Sequence, residues 1–205
     1  MSRLRELLQQ VGREPLVFLT GAGISAESGV PTFRGEEGYW TVGSTNYHPM
    51  DLATNRSFRR MPDDGRSWYL YRRTVCGQAL PNSGHHALAR LEEVLGDRFL
   101  LVTQNVDGLH RRAGNSAERI FEVHGNIEQM RCWQECTLTP FAIPETVAEK
   151  GKGGGFTDHD RAHLVCPHCG GRSRPHVLWF DECYDEERFR FESSLRAVKN
   201  AGALI

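Results

Sequence analysis

The chain has 205 residues, of which 39% are hydrophobic and 25% charged, and its 25 basic and 26 acidic side chains leave a net charge of −1. That balance excludes a nucleic-acid groove or an anionic membrane surface as the default partner. No apolar run reaches the roughly 18 residues of a membrane span, and the length suits one domain with a core and room for a small module.

Met1 to Leu8 lack a signal-peptide core. A reducing cytoplasm is therefore the expected compartment, where six cysteines favour metal binding over disulfides. Leu4, Leu7, Leu8 and Val11 recur at helical spacing and predict an amphipathic helix ending near Gly12. Leu16–Thr20 is a short apolar run and reads as a buried parallel strand. Gly21-Ala22-Gly23-Ile24-Ser25-Ala26 follows and fits G-x-G-x-x-A. Two readings fit it: plain glycine punctuation, or a turn that brings backbone N–H groups close to a phosphate. Ser25, Ser28, Thr32 and Arg34 add polar groups just beyond, and Arg34 is a fork suited to an anion. Gly35–Trp40 reads as a loop, either ordinary surface or a segment that closes over a ligand.

Residues 46–80 are mostly helical by pattern, and Tyr69 and Arg72, three apart, share a helix face. They read either as a solvated surface stack or as a phenol and a guanidinium aimed together at a carboxylate. Asn82 or Ser83 caps a helix with Leu88, Leu91, Val94 and Leu95 on one face, and His85 and His86 read as first-turn surface residues. Arg98–Thr103 is a second buried strand, running into Gln104, Asn105 and Asp107. Polar groups at the carboxyl end of a parallel strand stand where open α/β sheets bind ligands. Ile120–Val123 is a third strand with His124 at its end, placed either as structure or as a general base.

Cys132 and Cys136, then Cys166 and Cys169, form two pairs with knuckle-like spacing and predict one structural zinc held by four thiolates. Such a site supplies about 10–16 kcal/mol of binding free energy, enough to fold a module with little core. His163 and His168 are decoy ligands, and Cys76 and Cys183 read as packing residues. Arg174–Phe180 is extended, either a core strand or an edge that pairs with a peptide backbone. Asp185–Lys199 reads as one charged helix with Phe189, Phe191, Leu195 and Val198 as its apolar positions, and Ala203–Ile205 begins another buried strand.

Five blocks together resemble the sirtuin family of NAD-dependent protein lysine deacylases: Gly21–Gly35, Thr103–His110, Val123–Asn126, the two cysteine pairs, and Arg174–Phe180. The resemblance implies an α/β fold, a Rossmann-like parallel sheet with a small inserted zinc-binding domain. It divides the chain into a Rossmann-like NAD-binding domain at 1–126 and 174–205 and a zinc-binding small domain at 127–173, with a helical part around 36–82. NAD and one structural zinc are the implied cofactors, and acyl-lysine proteins or peptides the implied partners, with no direct nucleic-acid or membrane partner. Gly21, Ala22, Gly23, Ile24 and Ser25 would line the dinucleotide loop. Phe33 and Arg34 would order the nicotinamide-ribose side, Gln104, Asn105 and Asp107 would hold ribose and carboxamide, and His124 would be the general base. Val177, Leu178, Trp179 and Phe180 would pair with the substrate backbone.

Members that remove succinyl, malonyl or glutaryl groups carry Tyr-x-x-Arg where this chain has Tyr69-Leu70-Tyr71-Arg72. The resemblance therefore implies desuccinylase and demalonylase activity beside deacetylation. Mono-ADP-ribosyl transfer is a second enzyme reading, and a catalytically dead, zinc-stabilised binding module a third. The family usually has Phe-Gly-Glu where this chain has Phe180-Asp181-Glu182, which adds charge beside the peptide groove. It also continues past a strand like Ala203–Ile205 with contacts to the adenosine half. The expectation for these 205 residues is thus a sheet incomplete at its C-terminal end, weak NAD binding and an exposed edge.

Overall fold

The structure is a computed structural model and describes residues 2–31, 40–42 and 45–205. Helix α1 (Ser2–Val11) stops where Gly12 enters the left-handed region at φ +60°, which glycine does at little steric cost. Strand β1 (Leu16–Thr20) leads into the short helix α2 (Ala22–Ala26). Phe33 and Arg34, with residues 35–39 of the expected Gly35–Trp40 loop, lie outside the described residues, and Trp40, the last residue of that loop, stands in a strand instead. Strands β2 (Trp40–Val42) and β3 (Thr45–Tyr47) pair antiparallel.

Three helices follow: α3 (Pro49–Leu52), α4 (Asn55–Arg60) and α5 (Pro62–Gln78). Thr54 starts α4 by accepting the Ser57 N–H on its hydroxyl at 3.0 Å, and Pro62 starts α5, where its missing N–H has no helical partner to lose. Helix α6 (Ser83–Leu95) is capped by Asn82, whose Oδ1 accepts from the Gly84 N–H at 2.9 Å. Then come β4 (Phe99–Thr103), α7 (Leu109–Ala113), β5 (Ile120–Glu122), β6 (Gly125–Cys132) and β7 (Phe141–Ala142). The chain closes with α8 (Asp158–His163), β8 (Ser173–Val177), α9 (Glu186–Phe189), α10 (Phe191–Lys199) and β9 (Ala203–Leu204).

The main sheet has the order β5-β4-β1-β9, and all its pairs are parallel. Its strands alternate between two apolar layers. Leu16, Phe18, Phe99, Leu101 and Ile120 face Leu88 of α6 with Val11 and Ile24 packed alongside, while Val17, Val102, Phe121 and Val123 face Phe191, Ala197 and Val198 of α10. Helices thus cover both faces, which is why β1 and β4 are continuous apolar runs. A second, antiparallel sheet has the order β7-β6-β8, with Cys132 opposite Ser173 and Gly125 opposite Val177. Val123 closes the first sheet by donating its N–H to the Thr103 carbonyl, and Gly125 opens the second at φ +84°. A Cβ on Gly125 would lie 2.0 Å from the His176 carbonyl oxygen, so glycine is required there on two counts.

Three expectations are corrected. Val94 is exposed, because it stands about 100° of helical rotation from Leu95 and off the buried face of α6. The single helix expected over Asp185–Lys199 is two: Arg190 adopts φ +52°, ending α9 and starting α10, and lays its guanidinium over the Phe121 ring at 4.4 Å. Cys183 is exposed rather than packed, while Cys76 is buried as expected. Among the described residues no helix is long and apolar enough to cross a membrane.

Candidate active site and metal centre

The carboxyl ends of β1, β4 and β5 deliver Thr20, Thr103 and Glu122 in register, and the residues just beyond them build the site. Ser25 is its hub, and the hydrogen-bond polarity around it is fixed. The Asn82 N–H donates to His85 Nδ1, so a neutral His85 ring carries its proton on Nε2 and presents it to Ser25 Oγ at 3.4 Å. Asn105 Nδ2 donates to Ser25 Oγ at 3.1 Å and to the Gly21 carbonyl at 3.0 Å. Ser25 then donates to Asp107 Oδ2 at 2.7 Å, and Asp107 Oδ1 accepts the Leu109 N–H at 2.9 Å. Ser25, His85, Asn105 and Asp107 are all buried. The network pins the Gly21–Ala26 turn to the end of β4.

His85 is therefore corrected from a surface residue to a buried member of the network; His86 is exposed. Nothing local signals this, since Ser25 lies 60 residues away in sequence. Thr20 and His110 carry no sequence signal of a site role either. His110 Nε2 lies 2.9 Å from Thr20 Oγ1, which donates to Thr103 Oγ1 at 2.9 Å. Burial pushes the His110 imidazole down to about 4, with the neighbouring His85 adding to the effect.

Ala22, Gly23 and Gln104 are exposed at the mouth of the strand ends. Open space surrounds the position of a Cβ on Gly23, and one on Gly21 would meet Gln104 Oε1 at 3.3 Å. The surface here is a cradle of bare backbone beside one amide side chain. His124 stands over the same edge. Its Nδ1 lies 2.8 Å from the Gln104 carbonyl, which can only accept, so Nδ1 carries the proton and Nε2 keeps the lone pair. Burial lowers the His124 pKa below the usual histidine value, partly offset by that carbonyl. Nε2 is 2.9 Å from the Tyr184 hydroxyl, a contact that no motif announces.

The expected substrate residues fall into two groups. Trp179 Nε1 donates to the Tyr69 hydroxyl at 2.8 Å, and both rings pack with Val177 and Phe58 in one buried cluster. Burial raises the Tyr69 pKa, so the phenol stays neutral and keeps its own proton to donate. Arg72 is buried on the same helix and donates from Nη2 to the Pro31 carbonyl at 3.2 Å. Leu178 donates its N–H to the His124 carbonyl at 2.9 Å and Phe180 to that of Ala53 at 3.0 Å, while the Phe180 side chain is exposed.

Cys132, Cys136, Cys166 and Cys169 bring their sulfurs within 4.8 Å of one another. Cys132 to Cys169 is 3.7 Å and Cys136 to Cys166 is 3.5 Å. Tetrahedral zinc–thiolate bonds of about 2.3 Å require sulfurs about 3.8 Å apart, so the donor set fits zinc. All four positions are protein ligands, which makes the site structural. Among the described residues neither His163 nor His168 joins the group.

Fold and site together define a doubly wound α/β protein with a buried polar network at its strand ends and a four-cysteine module. The model of the Sir2 family matches residues 21–205. The chain belongs to the Sir2 family. It is 41% identical over 190 residues to an NAD-dependent protein deacylase of Thermus thermophilus, covering 91% of this chain and 66% of that protein. It is 40% identical over 183 residues to the mitochondrial NAD-dependent protein deacylase sirtuin-5 of Canis lupus familiaris, covering 83% of this chain and 57% of the relative. The chain thus spans about two thirds or less of these relatives. A crystal structure of a Sir2 homolog–NAD complex superposes with a TM-score of 0.76 at 34% identity, covering 98% of this chain and 70% of that one. A Sir2–p53 peptide–NAD⁺ complex gives 0.71 at 25% identity, covering 100% of this chain and 73% of that one.

Proposed function

We propose that the chain carries the catalytic face of an NAD-dependent protein lysine deacylase acting on acyl-lysine proteins or peptides. The observation that supports this best is the setting of His124: a neutral imidazole, oriented through Nδ1 by the Gln104 carbonyl, at the edge of an exposed glycine cradle. When bound, NAD⁺ supplies a ribose carbon activated by its bond to nicotinamide. Ala22, Gly23 and Ser25 form the loop under the dinucleotide, with Phe33 and Arg34 assigned to the nicotinamide-ribose side by sequence. Gln104 and Asn105 orient ribose and carboxamide. Asp107 holds Ser25 and the start of α7, so it acts by keeping the loop in place. His124 takes a ribose hydroxyl proton on Nε2, and its lowered pKa favours the unprotonated nitrogen that this step needs.

Tyr69 and Arg72 are assigned to the acyl chain, with desuccinylase and demalonylase activity as the finer reading. A phenol with its proton free and a buried guanidinium on one helix face suit a terminal carboxylate. In the same reading 1–126 and 174–205 form the NAD-binding domain, 127–173 the zinc module, and 36–82 its helical part. The test is nicotinamide release from NAD⁺ with succinyl-lysine and acetyl-lysine peptides. Acyl-dependent release that His124→Ala abolishes supports the deacylase, whereas release indifferent to acylation favours ADP-ribosyl transfer to another acceptor.

A further inference from the structure

Tyr184 lies between two fixed residues. Glu182 is bound by Arg174, by Arg131 at 3.3 Å and by the Trp179 N–H at 3.0 Å. Asp185 caps α9 by accepting the Arg188 N–H at 2.6 Å. With its backbone held on both sides, the Tyr184 ring stacks on Phe191, centroids 4.1 Å apart at 18°. Its hydroxyl reaches His124 Nε2 at 2.9 Å, while the side chain stays 42% exposed.

The Gln104 carbonyl forces the proton of a neutral His124 onto Nδ1. Nε2 therefore accepts, and the Tyr184 phenol donates. An imidazole nitrogen has one in-plane lone pair. It cannot accept from Tyr184 and take a proton from a substrate hydroxyl at once. We propose that Tyr184 is a latch on His124: its phenol occupies the Nε2 lone pair in the free chain, and the base becomes available only when that side chain turns away. The exposure of Tyr184 gives it somewhere to turn, and opening breaks the hydrogen bond to Nε2 together with the stack on Phe191. The latch gives the base a closed state that substrate must displace, which protects the lone pair from idle protonation and from unproductive ligands. Tyr184 is a positioning residue, and the inference rests on His124 being the general base.

The test uses Tyr184→Phe, which keeps the ring on Phe191 and removes only the hydroxyl. A hydrogen bond to the lone pair favours the neutral ring alone. Loss of the phenol therefore raises the His124 titration midpoint, read by NMR of the imidazole in the whole chain without substrate. It also raises kcat/KM for acyl-peptide-dependent nicotinamide release about two- to tenfold, the equivalent of one ordinary hydrogen bond. An unchanged midpoint overturns the latch, as does a fall in kcat/KM, which would make the phenol a helper. His124→Ala separates the two claims. If it leaves release intact, the base assignment fails and the latch fails with it; if it abolishes release while Tyr184→Phe changes neither readout, the base stands and the latch alone falls.

Discussion

Asp181 caps a helix that begins 126 residues before it. Its Oδ1 accepts the Asn55 N–H at 2.7 Å and its Oδ2 the Arg56 N–H at 3.1 Å, at the positive end of α4. The aspartate that departs from the Phe-Gly-Glu pattern therefore has a structural task. Removing it by Asp181→Gly costs about 0.5–1.5 kcal/mol, the net worth of an ordinary hydrogen bond. Asp181→Asn, which keeps an acceptor, costs less. Thermal melting of both variants checks the order; equal melting of Asp181→Gly and wild type would show the cap to be idle.

The four-cysteine group predicts one zinc per chain. Cys132→Ser removes a ligand that is 1% exposed at the end of β6 and forfeits much of the roughly 10–16 kcal/mol that such sites supply. Metal analysis should show zinc lost and melting lowered or abolished. Cys183→Ser, outside the cluster, is the control and should retain a full complement of metal.

Tyr69→Phe leaves the buried Trp179 indole N–H without its acceptor, which costs about 1–3 kcal/mol. Arg72→Met tests the acyl assignment. Release from a succinyl-lysine peptide should fall about tenfold or more, as expected when a charged hydrogen-bond partner is lost, with a smaller loss on acetyl-lysine. Equal losses on both peptides would place Arg72 in the scaffold, where it already holds the Pro31 carbonyl.

Burial pushes His110 and His176 down to about 4 from the ordinary 6.5, and Arg131 and Arg174 add to the shift at His176. The unfolded chain binds protons that the folded chain refuses across that window. Stability is thus complete above about pH 6.5 and is lost as pH falls toward 4, at up to about 1.4 kcal/mol per pH unit for each histidine. Denaturant titrations between pH 7 and 4.5 should show this slope, and His176→Gln should remove its share. A flat profile would mean that neither ring stays neutral through burial.

The parallel strands were legible because burial on both faces leaves runs such as Leu16–Phe18 with no polar interruption. The zinc group was legible because thiol spacing is itself the geometry. Hidden from the sequence were relationships that join residues far apart. His85 reads as surface until Ser25 arrives 60 residues away, and Asp181 reads as a groove charge until α4 is folded beneath it. Arg190 interrupts a helical pattern where its guanidinium lies over Phe121, a ring on the sheet 69 residues earlier in the sequence. Tyr184 had no signal at all, since a single tyrosine between two anchored acids looks like ordinary surface.

His124 is the single residue between the last hydrogen bond of the parallel sheet, at Val123, and the first residue of the antiparallel one, at Gly125. The chain first crosses between the sheets at this residue, and its return from β8 passes beside it, where the Leu178 N–H donates to the His124 carbonyl at 2.9 Å. The imidazole is thus carried on the seam of two sheets, one of which ends and the other of which begins beside it.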